Sequence, residues 1–293
     1  MQDSSISNTP FKLIECPRDA MQGLPDFIPT DLKISYLNAL LKVGFDTLDF
    51  GSFVSPKAIP QLRDTAEVLA GLDLSGTATK LLAIVANRRG AEQAVSFPEI
   101  RYLGFPLSVS ETFQLRNTNK TVTEAFAEVE AIQNLCVQTG HQLVVYLSMG
   151  FGNPYGDPYS PEVIGEFTER LVRAGVGIVA PSDTVGSSSP EGIEALFSHL
   201  IPAFPSVEFG AHLHSTPDAV AEKVRATLRA GVRRIDGALR GFGGCPMAKD
   251  ELTGNLPTER IIALLEDEGI RPAVDAARLA EALRLSAGVF GGR

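Results

Sequence analysis

Three stretches of the chain repeat one plan: ISYLNALLKVGFDTLDF (34–50), FTERLVRAGVGIVAPS (167–182) and VRATLRAGVRRIDGAL (224–239). Each carries an apolar stripe, a cation, a glycine and then a run of strand formers. Ile34, Leu37 and Leu41 recur at i, i+3 and i+7, one face of a helix, and Val220, Val224 and Leu228, at i, i+4 and i+8, also share one face. Gly44, Gly175 and Gly231 stand where a left-handed residue ends a helix, and the cation before each suits the negative end of the helix dipole. The unit is helix, stop, strand.

Following that rhythm along the chain predicts strands near 11–16, 46–51, 80–86, 100–107, 142–149, 177–183, 207–214 and 233–239. Helices are expected near 31–43, 60–71, 88–96, 121–138, 161–174, 190–200, 217–230 and 257–267, with one more near 273–288. Strands such as LVVYLSM and KLLAIVA are almost continuously apolar, as expected when both faces are buried. Eight strands alternating with eight helices predict an α/β fold, a (β/α)8 TIM barrel with a short C-terminal helical extension. Residues 1–10 read as a flexible tail and 11–293 as a single catalytic domain. The rival architecture is an open doubly wound sheet, whose dinucleotide form is weakened because no GxGxxG follows the first strand. GFGGCPMA is glycine-rich, but it follows a late strand and lacks the Gly-Lys-Ser/Thr ending of a P-loop.

Composition bounds the class. The chain has 293 residues, is 44% hydrophobic and carries a net charge of −9. It has ample core for one large domain. With no basic run, nucleic acid and anionic membrane are not expected as partners. No apolar run approaches the roughly 20 residues of a membrane span. MQDSSISNTP has neither the basic end nor the apolar segment of a signal peptide, so the expected location is cytoplasmic. Cys16, Cys136 and Cys245 form an odd set without CxxC, which suits a reduced compartment.

Chemistry in a parallel barrel sits at the carboxyl ends of the strands. Two of the four histidines, His212 and His214, fall at the end of the seventh expected strand, on one face. They suit a shared divalent ion, or two hydrogen-bonded residues lining the barrel. Arg18 and Asp19 follow the first strand: a fork of donors for a carboxylate or enolate oxygen, beside a hard oxygen ligand, or else a surface ion pair. Asp19 is close enough around the ring to approach both histidines. Asp49 and Ser52 end the second strand, Asp183 the sixth. The loop after the eighth carries Cys245 between two glycines and a proline, and Asn255 ahead of a helix. A cap for Asp49, an inert thiol for Cys245 and a turn role for Asn255 are the plainer alternatives. His141 and His199 fall at the opposite rim or in a helix and read as structural. The unusual residues thus gather at one rim instead of scattering.

These residues carry a resemblance. ECPRDAMQG, DFGSFVSPKAIPQLRD, SDTVG, AHLHSTPDAV and GGCPMAKDELTGNLPTE resemble 3-hydroxy-3-methylglutaryl-CoA lyase, within a wider group of metal-dependent barrel lyases and acyl-CoA synthases. The match runs in order from about residue 11 to 267. It implies a divalent metal, Mg²⁺ or Mn²⁺, held by Asp19, His212 and His214, with Asn255 completing or supporting the shell. It implies an acyl-CoA substrate cleaved by a retro-aldol step to acetyl-CoA and acetoacetate. Arg18 would stabilise the enolate, Gln22, Ser52 and Asp183 would belong to the substrate shell, and Cys245 would sit on a closing loop. A homodimer is implied by the same analogy. Asp49 stands where the family usually has glutamate and Ala20 where it has glycine, which bears on the group at C3 of the substrate. The alternatives are a condensing synthase of the same group and a non-catalytic metal- or acyl-CoA-binding barrel.

Overall fold

A computed structural model describes residues 10–244 and 253–291. The first half of the chain alternates β1 (Lys12–Glu15), the short α1 (Pro17–Gln22), α2 (Thr30–Leu41), β2 (Thr47–Ser52), α3 (Thr65–Ala70), β3 (Lys80–Ile84), α4 (Arg88–Ala94), β4 (Ile100–Ser108), α5 (Glu111–Thr118) and α6 (Val122–Thr139). The second half continues with β5 (Gln142–Ser148), α7 (Pro161–Arg173), β6 (Ile178–Asp183), α8 (Pro190–Ala203), β7 (Glu208–Phe209), β8 (His212–Ser215), α9 (Val220–Arg229), β9 (Arg234–Gly237), β10 (Gly254–Asn255), α10 (Thr258–Asp267) and α11 (Ala276–Phe290). The helix ends follow local chemistry. Asn87, Ser110, Thr121, Ser160, Ser189 and Asp275 each cap a helix with a side-chain oxygen. Thr121 and Glu124 close a reciprocal capping box at the start of α6.

The strands form the predicted barrel. Parallel pairing runs from β9 through β1, β2, β3, β4 and β5 to β6. The seventh stave, expected as one strand, is two pieces. β7 pairs with the lower part of β6 (Val179 with Phe209) and β8 with its upper end (Ser182 with His212). Between them Ala211 turns to the other neighbour: its N–H donates to the Arg234 carbonyl (2.9 Å) and its carbonyl accepts from Asp236 (3.0 Å). That exchange closes the ring. Beyond the eighth stave the chain returns as β10, antiparallel on β8, with Asn255 opposite His214.

The main core lies between the strands and the helices that wrap them. A separate inner cluster of Leu82, Ile84, Tyr102, Val144, Tyr146 and Ile178 fills the barrel from the third to the sixth staves. Inward positions on the seventh and eighth staves are instead His212, His214, Arg234 and Asp236. The inside of the barrel is therefore apolar on one half and polar on the other, and the polar half is where chemistry can be housed.

The glycines that end the repeated units have positive φ: Gly44 at 99°, Gly175 and Gly231 at 88°. Gly44 has a second constraint, because a Cβ there would come within 2.3 Å of the Ala273 carbonyl oxygen, ahead of α11. At Gly231 the nearest atom would be Ile201 Cδ1 at 3.8 Å. Gly231→Ala is expected to cost only the backbone term, about 1–2 kcal/mol. Gly44→Ala should cost clearly more, because the segment ahead of α11 must also move. Equilibrium denaturation of the two variants checks the order.

Candidate active site

Proline at the first helical position of α1, directly after Cys16, starts a helix where the sequence suggested a loop. The turn puts Arg18 and Gln22 four residues apart on one face. Arg18 Nη1 donates to Gln22 Oε1 (2.8 Å) and to Asp19 Oδ1 (3.2 Å). Gln22 Nε2 donates to the same Asp19 oxygen at 2.6 Å. The rest of the guanidinium is gripped by Asp49 from β2: Nε lies 3.0 and 3.2 Å from the two carboxylate oxygens, and Nη2 lies 2.6 Å from Oδ2. Such forked, charge-assisted contacts fix the plane of the guanidinium as well as its place. Among the described residues, four of the five Arg18 N–H groups find acceptors and one on Nη2 is left for another.

Across the mouth, donor atoms of Asp19, His212 and His214 all lie within 4.8 Å of one another. Each imidazole is oriented by its second nitrogen. Nδ1 of His214 lies 3.1 Å from the Thr184 carbonyl, which can only accept, so this nitrogen carries the proton. Nε2 of His214 is therefore a bare lone pair, and it is buried with no partner among the described residues. Nδ1 of His212 lies 3.2 Å from Asp236 Oδ2. This is the carboxylate–histidine pairing that orients metal-binding imidazoles. Asn255, brought back by β10, donates its amide to Asp19 Oδ2 (2.7 Å) and to the Phe242 carbonyl (2.8 Å). Two acceptors fix the turn of that amide, so Asn255 clamps Asp19 from the side. Gly243 makes the approach possible: at φ 89°, its missing Cβ would stand 2.7 Å from the Asn255 amide nitrogen and 2.9 Å from the Asp19 carbonyl.

A hard carboxylate and two imidazole nitrogens, one of them a buried lone pair without a partner among the described residues, fit a divalent cation. Burial works against the Asp19 charge, but Arg18, His212 and His214 outweigh it and hold the carboxyl at about 2. Burial pushes Asp49 up to about 6 in spite of Arg18, with Asp19 and Asp236 adding to the rise. For His212 burial disfavours the cation, yet the Asp236 hydrogen bond and charge prevail and raise its pKa. For His214 burial and the neighbouring His212 charge lower it. The site opens into a cavity of about 390 Å³, walled on its far side by Val54, Ile59, Ile84 and Phe113.

Several expected residues are gathered here: Arg18, Asp19, Gln22, Asp49, His212 and His214 line the cavity, and Asn255 backs it. Two are not. Asp183 is turned away, because alternation along β6 gives Ser182 and its successor Thr184 to the cavity. Its carboxylate instead accepts from Lys223 Nζ (2.9 Å), the Ser188 hydroxyl and N–H, and the Ser187 N–H. It is a staple for the loop after β6. Ser52 is likewise spent locally, donating to the Ile84 carbonyl (3.3 Å) and accepting from the Val54 N–H. Cys245 lies outside the described residues. Asp236 was missed, although it stands at the carboxyl end of the eighth stave and the same placement rule would have found it. Lys223 was also missed; it sits inside α9 and leaves no sequence signal.

A parallel barrel with one carboxylate, two imidazoles and a forked arginine at its carboxyl rim defines a class of site: one able to hold a divalent cation beside a donor for negative charge. The chain belongs to the HMGL-like family, whose model matches residues 12–285. A hydroxymethylglutaryl-CoA lyase of Bacillus subtilis is 32% identical over 92% of this chain and 89% of that protein. The solved HMG-CoA lyase of Brucella melitensis superposes with a TM-score of 0.88 at 28% identity, over 96% of this chain and 98% of that one. An HMG-CoA lyase from Acinetobacter baumannii, solved with coenzyme A and 3-methylmalate, superposes at 0.87 with 31% identity, over 96% and 92%.

A cation must displace any proton on the imidazole nitrogens that bind it. Because the His212 pKa is raised, Mn²⁺ affinity is expected to start weakening above the ordinary imidazole value as pH falls, and to go on falling by about tenfold per pH unit for one displaced proton. Asp236→Asn removes the charge that holds the proton, so the onset should move to lower pH. Mn²⁺ titrations followed by electron paramagnetic resonance across pH check both.

Proposed function

We propose that this protein is a carbon–carbon lyase that cleaves 3-hydroxy-3-methylglutaryl-CoA to acetyl-CoA and acetoacetate. The observation that carries the chemistry is the convergence of Asp19, His212 and His214, whose Nε2 has no partner among the described residues, beside Arg18. Asp19, His212 and His214 would hold the divalent cation, Mg²⁺ or Mn²⁺, with Asn255 steadying Asp19. When bound, such an ion is a Lewis acid that makes a hydroxyl easier to deprotonate.

The reaction removes the C3 hydroxyl proton, breaks the C2–C3 bond and leaves acetoacetate and the enolate of acetyl-CoA. The enolate then takes a proton at C2, so no net proton is gained or lost. Arg18 serves the enolate oxygen: Asp49 and Gln22 fix its fork, and one Nη2 hydrogen remains to meet developing charge. A carboxylate or imidazole at the cation rim takes the hydroxyl proton. Cys245, ten residues before Asn255 in the glycine loop, is the candidate to return one to the enolate. Asp183 and Ser52 support the walls. Residues 11–293 act as one catalytic domain, and the working form is a cytoplasmic homodimer; sedimentation as a monomer would remove the dimer.

The wild-type protein loaded with Mg²⁺ or Mn²⁺ should release acetoacetate and acetyl-CoA from the thioester, and lose that activity on chelation. Consumption of acetyl-CoA with a 2-keto acid instead would mark a condensing synthase. No reaction with either substrate would mark a binding protein. Arg18→Met should lower kcat by about 10²–10³ with a smaller change in KM, since the interaction is made mainly with the enolate. Steady-state kinetics on the folded variant checks this.

A further inference from the structure

At the active-site floor, Tyr146 Oη, Asp236 Oδ1 and the Nε and Nη2 atoms of Arg234 are buried with no hydrogen-bond partner among the described residues. Arg234 is 1% exposed and Asp236 2%. Polar groups this deep are nearly always paired, with protein or with ordered water. Their chemistry is complementary: two donors, one acceptor and a hydroxyl that can do both. Burial disfavours the Arg234 charge, and Asp236 leads the neighbours that more than restore it.

The layer lies between two cavities. The upper one is the active site, lined in part by Tyr146 and His212. The lower one, about 550 Å³, opens at the amino end of the barrel and is lined by Lys12, Tyr102, Gln142 and Glu208 among others. Arg234 touches two of the residues that line the lower cavity. Its Nη1 donates to Glu208 (3.3 Å), and its guanidinium sits 5.7 Å from the Tyr102 ring centre. Glycine at 210 leaves room for it, since a Cβ there would come within 3.0 Å of Arg234 Cδ. A polar layer with cavities above and below is a setting that holds buried water, each molecule making two to four hydrogen bonds.

We propose that this layer is an internal water site bridging Tyr146 Oη, Asp236 Oδ1 and the free Arg234 nitrogens, and that through it Arg234 and Tyr146 are positioning residues for His212. One oxygen of Asp236 accepts a hydrogen bond from His212 Nδ1–H, and the bridged oxygen fixes the carboxylate. Tyr146 also packs edge-on against His212, with ring centres 5.7 Å apart at 79°. His212 is thereby held at Nδ1 and on its face, which aims Nε2 at Asp19 and His214. The inference rests on the reading of those three residues as the cation site.

The test uses Mn²⁺ affinity, read by electron paramagnetic resonance on the full chain, and the His212 Nδ1–H resonance in ¹⁵N-histidine protein loaded with Mg²⁺. Arg234→Met is expected to weaken Mn²⁺ binding about 10–100-fold, the usual effect of losing an outer partner of a ligand. Arg234→Lys should recover part of that. Tyr146→Phe keeps the ring against His212 and removes only the hydroxyl; it should weaken binding by a smaller factor and move the Nδ1–H resonance. Wild-type affinity together with an unmoved resonance in folded Tyr146→Phe and Arg234→Met overturns the proposal. If Arg234→Met does not fold, Tyr146→Phe decides alone. If wild type binds no Mn²⁺, the cation site itself is refuted and this inference falls with it; if wild type binds and the variants match it, only the inference falls.

Discussion

Closure of the ring at Ala211 is the constraint on which the site depends. Its two hydrogen bonds to the eighth stave bring the seventh stave to within one strand of the first. Without them His212 and His214 would sit at a free sheet edge, far from Asp19. The break between β7 and β8 is part of the same device. By pairing below with β6, then with the eighth stave, then again with β6, the stave satisfies its backbone while turning both histidines to the mouth.

Charge follows from that closure. Arg18 is shared by two carboxylates, Asp49 gripping it by a fork and Asp19 touching one nitrogen. Burial opposes the Arg18 charge, and Asp49 and Asp19 more than restore it. The two carboxyls end on opposite sides of their usual range although they share a partner. Burial dominates Asp49, whereas Asp19 also faces two imidazoles. A carboxylate held ionised beside a bare imidazole lone pair is suited to a cation. A fixed guanidinium with one free hydrogen is suited to an enolate. The hydrated layer proposed beneath would carry this preorganisation one level deeper, from Arg234 through Asp236 to His212.

Much of the fold was legible because its signals are local. Helix stripes, glycine stops and continuous apolar strands each report on a few neighbouring residues, and barrel topology is nearly forced once eight such units occur in series. α1 and α5 escaped because each is short, one hidden behind a proline and the other behind a serine cap, with little apolar periodicity. Asp19, His212 and His214, which converge at the mouth, were singled out by their place at strand ends. Asp183 had the same placement but the wrong parity, since one step along β6 exchanges the cavity for Lys223.

The sequence by itself determined the barrel, the rim that bears chemistry and the family of the chain, because those rest on periodicity and on motifs contiguous in the chain. Only the tertiary structure decided which atoms meet. Asn255 clamps an aspartate 236 positions away, His212 takes its orientation from a carboxylate on the next stave, and Asp183 turns outward. Those outcomes depend on the direction of side chains across a closed ring, and direction is set by pairing register and packing between distant segments, which no local pattern encodes.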